Sequence, residues 1–114
     1  PIALECIQAA NILAISGLKI SVCSILQVKP LPDNVIQICS NQNHIIAIEE
    51  HSTYHSVGSS LLKAISLEGY GGKFKVFGIE DKFTEIVGSR DFLLKHHQID
   101  SQSIADRVSL ELGK

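Results

Sequence analysis

The sequence predicts an α/β fold in which an open, mostly parallel sheet forms the middle of three layers, with helices on both faces. Two observations carry this. Strand-like and helix-like periodicities alternate along the whole chain. The apolar run Ile45 to Ile48 also gives way at Glu49 to a helical period carried by Val57, Leu61, Leu62 and Ile65, and a short, continuous apolar run reads as a strand buried on both faces.

The elements follow in order. Leu4, Ile7, Ala10 or Ile12, and Ile15 recur at three- and four-residue steps, which predicts a helix over 3–15 with Gly17 as its C′ stop. A doubly wound domain normally opens on a strand, so the chain is expected to begin inside a βα unit that lacks its first strand. Residues 19–28 alternate and are rich in Ile and Val, a second strand position, and Lys29-Pro30-Leu31-Pro32 ends it because proline cannot donate to a ladder. Asp33 is expected to cap a short helix reaching Asn41. A strand over 45–49 and a helix over 56–68 come next, and Gly69, Gly71 and Gly72 mark the turn that leads to a strand over 74–79. Residues 81–88 show no period and read as loop. Ser89 can then cap a helix carrying Phe92 and Leu93, and Asp100 a last helix with Ile104, Val108 and Leu112 on one face.

With 114 residues the chain holds one domain, large enough for a hydrophobic core and small for an enzyme that encloses a substrate. The net charge is −2 and the ten Lys and Arg residues form no basic stripe, so nucleic acid is not an expected partner. No apolar run approaches the roughly 20 residues of a membrane span, so no membrane partner is expected either. Cys6, Cys23 and Cys39 lie among apolar residues in unpaired spacing and read as small core hydrophobes of a reducing, cytoplasmic compartment.

The polar constellation of interest is Glu49, Glu50, His51, His55, Ser56 and Ser59. It is expected on the loop between strand and helix, the edge where ligands and partner domains dock on open α/β sheets. His51 and His55 are four apart and would share a helical face beside two carboxylates, as zinc ligands could, but the order is not that of the H-E-x-x-H pattern. Ser56 or Ser59 beside a histidine could serve as a nucleophile, but the stretch lacks the second glycine of a nucleophile elbow, and serine at a helix start is commonly an N-cap. A phosphate on the helix start is a further alternative, opposed by Glu49 and Glu50. Adjacent carboxylates on a strand diverge and make a poor acid/base pair. His96 and His97 are adjacent, so their rings are expected to point apart on a surface helix. No catalytic, cofactor-binding or metal-binding residue is assigned.

Seven blocks in register resemble one family. They are Ala9-Ala10-Asn11-Ile12-Leu13, Ile20-Ser21-Val22, Lys29-Pro30-Leu31, Ile46-Ala47-Ile48-Glu49-Glu50-His51, Val57-Gly58-Ser59, Phe77-Gly78-Ile79 with Asp81 and Phe83, and Gly88-Ser89 with Leu93-Leu94. Together they resemble the carboxy-terminal domain of transketolase-type enzymes over nearly the whole chain.

The resemblance implies a structural and interface domain of a homodimeric enzyme that moves two-carbon ketol units between sugar phosphates in the pentose phosphate pathway. Its thiamine diphosphate and magnesium lie on preceding domains, whose motifs have no counterpart here, so no cofactor is expected on this domain and the isolated chain is expected to be inactive. Its partners would be those preceding domains or a separate subunit. Deoxyxylulose phosphate synthase and the β subunits of 2-oxo acid dehydrogenases share the domain and stay as alternatives, as does a free-standing phosphate- or nucleotide-binding module. The sequence departs from the family where His55-Ser56 replaces a glycine pair and where Pro32 moves Asp33 one place along.

Overall fold

The computed structural model describes residues 2–25, 31–52, 57–79 and 94–113. They form α1 (Ile2–Ile15), α2 (Asp33–Ser40), β1 (His44–Ser52), α3 (Val57–Leu67), β2 (Lys73–Ile79) and α4 (Ser101–Glu111). The chain divides into two compact units, residues 25–81 and residues 1–24 with 82–114.

The first of these is a β-α-β unit. β1 and β2 are parallel, with Ile45 opposite Phe74, Ala47 opposite Val76 and Glu49 opposite Gly78. Two parallel strands need a crossover, and α3 supplies it. Leu61 and Ile65, one helical turn apart, are buried with Leu31 and Cys39, and Ile45 and Phe74 of the ladder pack against that cluster. The carboxyl end of α3 is closed by Gly69 at φ +80°: Tyr70 N donates to Ile65 O at 3.1 Å and Gly69 N to Ser66 O at 3.0 Å. This Schellman arrangement needs a left-handed residue, which glycine adopts without a Cβ penalty.

In the other unit α1 and α4 pack together, burying Ala9 and Leu13 of α1 and Ile104, Ala105 and Val108 of α4. Asp100 caps α4, its carboxylate accepting from Ser103 N at 3.4 Å. Gly17 ends α1 as expected, with Leu18 N donating to Leu13 O at 3.0 Å.

Several expectations are corrected. The described part of the 19–28 strand, residues 19–25, is not in a strand, and the sheet of the described residues is β1-β2 alone. Alternating Ile and Val favour an extended chain, but pairing makes a strand, and Val22 stays exposed. Pro32 is the N-cap of α2, with extended backbone and its carbonyl accepting from Val35 and Ile36, so Asp33 is the first helical residue. There its charge still suits the helix dipole.

On α1 the buried pair is Ala9 and Leu13, whereas Leu4, Ile7 and Ile15 of the expected stripe are exposed. Leu4 and Ile15 lie on the side of the helix that carries Glu5, Gln8 and Asn11, whose three-residue spacing marks the polar face, and Ala9 and Leu13 are turned away from it. The rings of His96 and His97 meet edge to face at 5.0 Å instead of diverging. The helix ends at His96, and Gln98, at φ +60°, breaks the helical spacing on which divergence depends. The helix expected from Ser89 lies outside the described residues except for its last turn at 94–96.

Among the cysteines, Cys39 is buried, Cys6 is partly buried and Cys23 is exposed, which corrects the expectation that all three are core. Burial, then the neighbouring Glu5 charge, pushes the Cys6 thiol up to about 11. Because the thiolate is the nucleophile, iodoacetamide at pH 8 is expected to label Cys23 first and Cys6 slowly, as read by peptide mass spectrometry. A thiol harder to ionise in the fold than in the unfolded chain contributes stability below pH 9 that is lost as pH rises towards 11. Cys6→Ala is therefore expected to flatten the alkaline fall in melting temperature.

Candidate functional site

The site is the junction of β1 and α3, and it differs from the sequence reading at its first residue. β1 runs through Ser52, so Glu49, Glu50 and His51 belong to the strand and not to the loop after it. Pairing with β2 carries the strand this far: Glu49 still opposes Gly78, and after a register irregularity Ser52 opposes Ile79.

Glu49 is buried, at 9% exposure, although its side chain is polar. Burying a carboxylate without partners is costly, and α3 supplies one. Glu49 Oε1 accepts the backbone N–H of Gly58 at 2.5 Å. Gly58 is the second residue of α3, in the turn whose N–H groups have no helical acceptor and where the helix dipole favours negative charge. The carboxylate at the end of β1 thus caps the following helix from outside it. The other oxygen, Oε2, is buried and accepts no hydrogen bond among the described residues.

Gly58 makes this approach possible. A Cβ at that position would stand 2.9 Å from Glu49 Oε1, 3.1 Å from Val76 Cγ2 and 3.2 Å from Ala47 Cβ. The amino end of α3 therefore lies directly on both strands, and only a hydrogen fits between them.

Of the other expected site residues, Ser59 lies exposed in the first turn of α3. The side chains of Glu50 and His51, and residues His55 and Ser56 altogether, lie outside the described residues. The structure thus brings together Glu49 and the start of α3. The role of Gly58 was not recognised from sequence. Its signal was a glycine inside a helical period, where it costs about 1 kcal/mol against alanine and so calls for a packing reason.

Among the described residues no three His, Cys, Asp or Glu side chains gather where they could hold a metal ion. No described helix is long and apolar enough to cross a membrane.

The profile of the family described as "Transketolase, C-terminal domain" matches residues 2–104. The chain belongs to the transketolase C-terminal domain family. It is 28% identical over 110 residues to a transketolase C-terminal section of Methanocaldococcus jannaschii, covering 96% of this chain and 34% of that protein. It is 32% identical over 106 residues to one of the subunits of the apulose-4-phosphate transketolase of Actinobacillus succinogenes, covering 90% and 33%. A 1-deoxy-D-xylulose-5-phosphate synthase of Caldanaerobacter subterraneus is 33% identical over 103 residues, covering 90% and 16%.

A solved split-gene transketolase, an inactive β4 tetramer, matches with a TM-score of 0.81 at 21% identity, over 95% of this chain and 35% of that one. The α/β fold is thus that of the transketolase C-terminal domain. This domain spans about a third of the first two relatives.

Proposed function

We propose that the chain is the C-terminal structural and interface domain of a transketolase-like enzyme that moves two-carbon ketol units between sugar phosphates. One observation carries the reading: the family match runs through residues 2–104, while the same stretch makes up 34% and 33% of two transketolase-type relatives. The remainder of each of those relatives is about twice as long as the stretch shared with this chain. In this reading thiamine diphosphate and magnesium are held by other domains of the same enzyme, in one polypeptide or on a separate subunit, and the parent is a cytoplasmic homodimer acting in the pentose phosphate pathway. Two relatives are named as a section or a subunit, and this supports partnership with a second polypeptide.

The β1–α3 junction has a structural task in this scheme. It fixes the strand end and the helix start as one joint, and so gives partner domains a defined edge to pack on. The phosphate- or nucleotide-binding alternative draws no support from the junction, because Glu49 already takes the Gly58 N–H.

The test is to titrate the 114-residue chain with thiamine diphosphate and magnesium by calorimetry, and to assay ketol transfer between sugar phosphates with the complete enzyme and with the enzyme lacking this domain. The expected result is no cofactor binding by the domain alone and ketol transfer by the complete enzyme. Micromolar cofactor binding by the domain, or a complete enzyme without ketol transfer, overturns the reading.

A further inference from the structure

We draw no further inference here: the strongest candidate, the edge of β1 that pairs with no other strand among the described residues and along which Ile45 to Ile48 are half-buried, carries nothing because nothing in the structure shows what covers it.

Discussion

Replacing Ile65 with alanine is expected to lower the stability of the domain by about 3–4 kcal/mol. Ile65 has 0% exposure and lies in the cluster with Leu31, Cys39 and Leu61. The substitution removes three carbon atoms from that cluster, and the lost transfer free energy is joined by the cost of a cavity that close-packed neighbours fill only in part. The site has little room to collapse, because the carbonyl of Ile65 also anchors the turn after α3 by accepting from Tyr70 N at 3.1 Å and Glu68 N at 3.0 Å.

Urea unfolding followed by circular dichroism measures the effect. The midpoint should fall while the slope stays as in the wild type, since the surface exposed on unfolding is nearly unchanged. Leu62→Ala, on the same helix and 41% exposed, is the comparison, and is expected to cost less than about 1 kcal/mol. A loss at Ile65 no larger than that at Leu62 would mean that α3 turns a different face to the sheet.

How much of this was legible in the residues depends on where the signal lay. Ile45 to Ile48 and the period Val57, Leu61, Ile65 specify a strand followed by an amphipathic helix, but burial of that strand on both faces is not what the structure shows, Ile45 to Ile48 being half-buried. Gly17, Gly69 and Asp100 were legible because their tasks are local: two left-handed helix stops and one cap. α1 was legible as a helix, and its orientation was written in the polar residues Glu5, Gln8 and Asn11 at three-residue steps, a signal that apolar spacing alone misses. The 19–28 segment shows the limit of strand propensity. A strand is a pairing, and the alternation of Ile20 and Val22 does not contain the partner. Glu49 was legible as a residue at the end of the strand, but its neighbour 9 positions away was not. A hydrogen bond from a helix amide to a carboxylate on the preceding strand leaves no periodic trace, and only the presence of a glycine at position 58 hints at it.

The other large effect expected is at that glycine. Gly58→Val should destabilise the domain by about 2–3 kcal/mol, in the range of overpacking within a closed interior. Two opposing terms set the value. A residue with a side chain restricts the unfolded chain and favours the helix, which for alanine is worth about 0.5–1 kcal/mol relative to glycine. Against this, the new Cβ would stand 2.9 Å from Glu49 Oε1 and within 3.2 Å of side-chain carbons on both strands. The strand atoms cannot retreat without disturbing the ladder between Ala47 and Val76, which are direct partners in register. Glu49 must therefore yield, and the helix loses its capping oxygen. Gly58→Ala separates the two terms, since it adds only the Cβ, and a net loss of about 1 kcal/mol is expected from it.

In a Glu49→Ala background the nearest of the three contacts is gone, so the same Gly58→Ala change should cost less. The difference between the two backgrounds is expected at about 1 kcal/mol, a coupling typical of side chains in direct contact. Equilibrium unfolding of the four proteins of this cycle supplies the number. Additive losses would place Glu49 and Gly58 out of contact, and a Gly58→Ala variant more stable than the wild type would show that helix preference, and not the close approach to the sheet, decides position 58.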